Sequence, residues 1–366
     1  MRKLFISVGA ALISLSSINA QVAKPDTTLQ ITGSADLYYK YDFAGDANTP
    51  SMLNAKVGMR QNSMEFGMLD LKIKKQLGDV TVNSELAFGQ RETSDASAPP
   101  SYNIQNLNAT YQANKKLSFT GGIMYRYQTY EKLTAADNFN YTISSSFTII
   151  NFLRSSGIKA TYAFNDKAKI VAGLYNSNDS KNGTNRTVAS PNYGLSDFCA
   201  QGFISEPFGL KQLDASAAVW IEGQKDNGTH LNLQLHYAAT SKLKLGLDVS
   251  HYKCADTTSI PARSYDSYVG YAQYKVCKAF TLGARYDYLS VNEQDGSSNN
   301  FIKENYYATT ITGALNLGSL TLKAEYKRDW TQSDNTNRAT ISYYEKDAIT
   351  PSVNAAEIVL AAIYKF

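Results

Sequence analysis

A two-residue alternation of apolar and polar side chains recurs along nearly the whole chain, interrupted by connections of two alternating lengths. Successive side chains of an extended strand point to opposite faces, so this pattern describes a sheet with one apolar and one polar face. Ile31, Gly33, Ala35, Leu37, Tyr39, Tyr41 and Phe43 share one face, and Thr32, Ser34, Asp36, Tyr38, Lys40 and Asp42 the other. Leu231, Leu233, Leu235 and Tyr237 oppose His230, Asn232, Gln234 and His236, while Leu320, Leu322, Ala324 and Tyr326 oppose Lys323, Glu325 and Lys327. Short turns fall near 77–79, 113–116, 165–167, 206–211, 239–242, 276–279 and 317–319. Long polar stretches run over 44–62, 90–101, 129–153, 177–196, 223–229, 253–264, 290–303 and 331–353. Seven short turns and eight long loops imply about sixteen strands, with fourteen or eighteen left open, at roughly 22 residues per strand and connection.

A soluble β-sandwich also alternates, but it does not ask for aromatic rings at both strand ends. Here Tyr125, Tyr127, Tyr286, Tyr288 and Trp330 lie near long loops, and Tyr237, Phe280 and Tyr364 near short turns. The 26 Tyr and 15 Phe beside only 8 Pro suit strands that carry interfacial rings. In hydrocarbon every backbone N–H and C=O must be paired within the protein, which an open sheet edge cannot do, so such a sheet closes. The expected fold is an all-β, closed antiparallel transmembrane β-barrel with short periplasmic turns, long extracellular loops and both termini periplasmic. Arg2 and Lys3 precede an apolar run from Leu4 to Leu15 and a polar segment ending at Ala20, which marks residues 1–20 as a signal peptide and 21–366 as the barrel. Cleavage there lowers the net charge from +4 to +2, which gives no electrostatic case for nucleic acid.

Enzyme chemistry finds little support. His230 and His236 share a polar face but stand roughly 20 Å apart along an extended strand, too far for one metal site or catalytic pair. His251 and its neighbour Ser250 point to opposite faces. Cys199, Cys254 and Cys277 form an odd set. Cys254 and Cys277 belong at opposite membrane surfaces and do not easily pair; a Cys199–Cys254 pairing is conceivable, but nothing in the sequence supports it. No catalytic residue, cofactor or metal site is assigned.

The opening Gly33, Ser34, Ala35, Asp36, Leu37, Tyr38, Tyr39, the run Gly157 to Lys167 and the segment Val171, Ala172, Gly173, Leu174, Tyr175, Asn176 carry a family resemblance. With the overall architecture, they make the chain resemble bacterial outer-membrane porins, most closely the OmpL-like family of β-barrel porins. The final strand alternates Ala356, Ile358, Leu360, Ala362, Tyr364 and Phe366 against Glu357 and Lys365, similar to terminal strands that the barrel-assembly machinery recognises. The resemblance implies an outer-membrane pore, surrounded by lipid, through which small hydrophilic solutes and ions diffuse, and by analogy a homotrimer. It also implies that the third long loop, 129–153, folds inward as the constriction. The apolar Phe139, Tyr141, Ile143, Phe147, Ile149, Ile150 and Phe152 of that loop are costly to leave in water, which agrees with packing against the inner wall. Lys40, Glu85, Arg126, Lys159, Glu222, Asp248, Arg285, Asp287, Lys323, Glu325 and Lys327 fall on the lumen face. Charges in a narrow lumen bias ion passage. The candidate pore-lining and constriction residues are Arg126, Glu131, Lys132, Asp137, Arg285, Lys323 and Glu325. A non-conducting surface or adhesion barrel and a gated, substrate-specific transporter remain the alternatives.

Overall fold

The computed structural model describes residues 28–43, 62–89, 91, 101–144, 146–147, 154–176, 195–223, 228–254, 262–294, 301–333, 343–344, 351–352 and 354–366. The expected signal peptide, residues 1–20, lies outside them. Sixteen strands close into one barrel: β1 (Gln30–Asp42), β2 (Ser63–Leu77), β3 (Val80–Gly89), β4 (Ser101–Gln112), β5 (Leu117–Tyr125), β6 (Arg154–Ala163), β7 (Ala168–Asn176), β8 (Leu195–Ser205), β9 (Leu213–Ile221), β10 (Thr229–Tyr237), β11 (Leu243–Cys254), β12 (Arg263–Lys275), β13 (Phe280–Gln294), β14 (Phe301–Leu317), β15 (Leu320–Ser333) and β18 (Asn354–Lys365). The two-residue strands β16 (Tyr343–Tyr344) and β17 (Pro351–Ser352) pair only with each other. Each barrel strand is antiparallel to its neighbour, and β18 closes the ring on β1, from Ser34 opposite Lys365 to Asp42 opposite Glu357. Phe366 completes the seam, its N–H donating to Gly33 O at 3.0 Å and its carbonyl accepting from Gly33 N at 2.9 Å.

The polarity of the barrel is the reverse of a soluble core. In β10, Leu231 and Leu233 are 47% and 41% exposed on the outside, whereas Asn232 and Gln234, which alternate with them, are buried inside. That inversion suits a lipid-facing wall around a polar lumen. On the outer face at the long-loop end, the rings of Tyr268, Tyr288, Tyr307 and Trp330 follow one another with centroids 6.0, 5.2 and 5.4 Å apart, the outer two pairs stacked and the middle one tilted. At the short-turn end, Tyr364 lies 6.3 Å from Phe366. These are the two interfacial girdles.

Two expectations need correction, and the cysteine pairing left open resolves. Tyr127 is not in the girdle: β5 ends at Tyr125, the alternation ends with it, and the Tyr127 ring turns inward, 4% exposed. Strands β13, β14 and β15 run longer than a membrane span requires, so the stretches 290–303 and 331–353 are partly strand. Cross-strand pairing continues past the girdle there, from Gln294 opposite Phe301 and from Glu304 opposite Ser333, and it satisfies backbone groups beyond the lipid. The Cys199–Cys254 pairing does not form: Cys199 packs with Trp220 and Tyr175, and Cys254 with Leu289 and Val291.

Candidate functional site: a loop bound across the lumen

The connection from β5 to β6, residues 126–153, is the longest between barrel strands, and its described part lies inside the barrel. At its root, the Arg126 guanidinium is fully buried, ion-paired with Asp197 of β8 at 3.1 Å and laid over the Trp220 ring of β9 at 4.2 Å. Tyr127 meets His230 of β10 at 3.2 Å, and the Gln128 carbonyl accepts from Gln201 of β8 and Gln234 of β10 at 2.9 and 2.8 Å. Tyr130 then sits between two wall rings, 4.3 Å from His236 of β10 and 4.1 Å from Tyr271 of β12, with near-parallel planes. Gly246 of β11 lies between those two in the register and leaves the slot open, since a Cβ there would collide with the Tyr130 hydroxyl. Gly283 of β13 does the same for the edge of Phe139.

Further along, charged wall residues grip the loop backbone. Arg285 of β13 donates to Glu131 Oε1 at 2.9 Å, to Thr142 O at 2.7 Å and to Asp287 Oδ2 at 3.2 Å, while Glu131 Oε2 accepts from Ser144 N at 2.7 Å. Glu325 of β15 accepts from Tyr141 N at 2.6 Å and Thr142 N at 2.9 Å, and Lys323 of the same strand donates to Ala135 O at 2.9 Å and Asn138 O at 2.7 Å. Asn140 donates to Thr312 of β14 at 2.7 Å, Tyr141 hydrogen-bonds Asp36 of β1, and Arg91, beyond β3, donates to Tyr141 O at 2.9 Å. Ile143 and Phe147 pack with Met68 of β2 and Ala87 of β3. Buried, charge-assisted bonds of this kind are strong and geometrically demanding, so the loop has one seat.

The seven candidate residues therefore divide. Arg285, Lys323 and Glu325 are buried beneath the loop, together with Arg126 at its root and Glu131 on it. They bind wall and loop to one another and do not face open lumen. Asp137 and Lys132 are on the uncovered side. Asp137 is exposed and bridges to Lys72 of β2 at 2.9 Å, and Lys72 also meets Asp70 at 3.1 Å and Glu85 of β3 at 3.5 Å. Lys132 donates to Thr129 O at 2.8 Å, and burial lowers its pKa below that of an ordinary lysine although Asp137 opposes the shift.

Burial divides the inner wall in the same way. The inward residues Arg285, Asp287, Thr310, Thr312, Glu325 and Lys327 of β13–β15 are at most 2% exposed. On β2–β6 the inward Lys72, Asn83, Glu85, Asn106, Asn108, Thr110 and Lys159 all keep solvent exposure. Sequence reasoning missed Asp36, Arg91, Tyr271 and Thr312 as loop partners. Inward-facing glycines in otherwise regular strands, Gly246 and Gly283, were the available signal, because a strand gives up a side chain where another group approaches its backbone.

Known proteins agree with this architecture. A family described as "Putative beta-barrel porin-2, OmpL-like" matches residues 28–366. No curated protein matches the sequence. Among solved structures, an anion-selective porin from Comamonas acidovorans aligns with 93% of this chain and 100% of its own at 13% identity and a TM-score of 0.61. The trimer form of OmpT from Vibrio cholerae aligns with 94% and 100% at 12% identity and a TM-score of 0.59. The outer membrane channel DcaP of Acinetobacter baumannii aligns with 96% and 100% at 14% identity and a TM-score of 0.58. With the family match covering almost the whole chain, and a closed polar lumen crossed by a bound loop, this chain belongs to the OmpL-like β-barrel porin family and is a channel of the bacterial outer membrane.

Proposed function

We propose that small hydrophilic solutes and ions diffuse passively through the half of the lumen beside β2–β7, with the β5–β6 loop as the constriction. The division of the inner wall carries this reading: Lys72, Asn83, Glu85, Asn106, Asn108, Thr110 and Lys159 of β2–β6 keep contact with solvent, while Arg285, Asp287, Thr310, Thr312, Glu325 and Lys327 of β13–β15 are sealed under the loop. In this mechanism Lys132 and Asp137 form the loop's edge of the passage, and Lys72, Glu85 and Lys159 the wall opposite. Arg126, Glu131, Arg285, Lys323 and Glu325 act on the pore at one remove, by fixing where that edge stands. Lys159 of β6 makes no ion pair among the described residues, whereas Lys72 is surrounded by Asp70, Glu85 and Asp137. The three carboxylates around Lys72 offset the single charge of Lys159, so both signs line the passage and its ion selectivity is weak.

The trimer form of a structural neighbour supports a homotrimer, and the exposed aromatic Phe366 at the closing seam supports recognition by the assembly machinery. Reconstitution of the mature protein in planar bilayers tests the central reading. Stable ohmic steps, with a reversal potential close to zero in a salt gradient, are the expected result. Silent insertions from a folded barrel would instead favour a non-conducting surface barrel or a gated transporter.

A further inference from the structure

Beneath the loop, toward the short-turn end, lies a cavity of about 370 Å³, bordered by Asp137, which also edges the passage described above. Its size is within the roughly 300–1,000 Å³ of small-molecule sites. Tyr130, Glu131 and Asp137 to Asn140 of the loop roof it, and β9–β12 form its wall. Two rows of the register supply the inward chemistry. Asp214 of β9 stands directly opposite His236 of β10, which stands opposite Gly246, and Gly246 opposite Tyr271. One step toward the short turns, Lys244 of β11 stands opposite Gln273 of β12, and Gln212 closes the far side. The stack Tyr271, Tyr130, His236 ends at His236, an exposed ring beside Asp214 that offers a flat face to the cavity.

We propose that this cavity is a binding subsite for a neutral pyranose sugar, at the periplasmic end of the diffusion path. The inference rests on the diffusion reading for its place in transport, but its chemistry is local. An aromatic stack presents an apolar plane on which the C–H face of a sugar ring can lie. The amides of Gln212 and Gln273 both donate and accept, as hydroxyl groups do, and Asp214 can accept from a neighbouring pair of hydroxyls. Lys244 stands against Asp214 in charge, Asp137 is paired with Lys72 and Glu131 with Arg285, so each carboxylate of the lining has a cation and none selects an ion by itself. A carboxylate solute would meet Asp214, and a cationic one Lys244.

Calorimetric titration of the folded, detergent-solubilised protein with maltose, glucose, gluconate and glycerol tests the proposal independently of conduction, alongside bilayer recordings in salt alone. Expected are saturable binding of maltose and glucose, weaker or absent heats for gluconate and glycerol, and a loss of roughly tenfold in affinity in Asp214→Ala and in His236→Ala, the scale of one good polar or stacking contact. Gel mobility before and after heating checks that each variant is folded. Absence of saturable heat with either sugar, tighter binding of gluconate than of maltose, or unchanged affinity in both variants would overturn the subsite. A barrel that binds maltose but passes no salt current would sink the diffusion reading and uphold the subsite; an ohmic channel blind to both sugars would do the reverse.

Discussion

Lys323 on β15 and Lys72 on β2 both face inward on strands of the same alternating pattern, yet Lys323 is 6% exposed and the Lys72 side chain 38%. The first spends its donors on carbonyls of the loop, and the second lies among carboxylates at the edge of open lumen. One wall of the barrel is a dock and the other a channel lining. The strand pattern builds both alike, and the β5–β6 loop makes them different by covering one. A charge facing a lumen is therefore not by itself a pore charge. It becomes one only where nothing else occupies the space in front of it.

The largest effect should come from removing that cover. Replacing residues 129–144 with a short Gly-Ser link leaves the barrel hydrogen bonds intact and exposes Arg285, Lys323 and Glu325 to water. Single-channel conductance should rise several-fold in barrels that still shift on a gel after heating; an unchanged conductance would mean that the loop does not limit the passage. Next in size is Arg285→Met. It leaves Glu131 and Asp287 buried without their cation, which costs about 3–5 kcal/mol when one partner of a buried pair is lost. Current noise should grow and the loop should become cleavable by chymotrypsin in intact barrels. Lys72→Met on the lining side breaks one exposed pair to the loop, with Asp137, worth at most about 1 kcal/mol, and its pairs with Asp70 and Glu85 inside the wall; it touches no loop backbone and should leave the loop protected.

How far the sequence reveals these two walls depends on what each kind of signal measures. Period-two alternation reports which face a side chain takes, and it correctly put Arg285, Lys323 and Glu325 inside. The alternation of short and long connections reports strand count, and sixteen strands close the barrel. Neither signal reports what a long loop touches. Docking of 126–147 depends on contacts with strands as distant in sequence as β1 and β15, each of which is only a polar residue in its own strand. Tyr127 shows the limit at a single position. The parity of β5 says nothing once the strand has ended, and the ring that seemed to belong to the membrane girdle packs on His230. The long rims of β13–β15 were hidden for a related reason, because beyond the lipid no apolar face is required and the pattern fades while the backbone pairing continues.

A smaller perturbation separates the walls by one methyl group. Gly246→Ala puts a Cβ against the Tyr130 hydroxyl and should unseat the sandwich between His236 and Tyr271, raising current noise less than Arg285→Met does. Gly270→Ala, on the neighbouring strand but facing outward, meets nothing within 4 Å and should behave as the parent. Equal behaviour of the two would remove the slot from the account of how the loop is held.

The smallest and most local change belongs to the open wall. Lys159→Glu reverses a charge that has no ionic partner among the described residues and keeps solvent contact, so folding stability should stay within roughly 0.5 kcal/mol of the parent. Conductance should hardly move, but the reversal potential in a potassium chloride gradient should shift toward the cation side. The size of that shift depends on screening. At 0.1 M salt the field of a single charge reaches about 10 Å, comparable to a narrow passage, whereas at 1 M it reaches about 3 Å. The shift should therefore be clear when the gradient is set at low salt and largely lost at high salt. The same reversal at Glu325, to lysine, should instead disrupt the loop, because its oxygens are committed to Tyr141 and Thr142 and no solute approaches them. A salt-dependent shift at position 159 together with a structural defect at position 325 is the pattern that two different walls require; matching electrical shifts at both would mean that the loop leaves the wall beneath it open to ions.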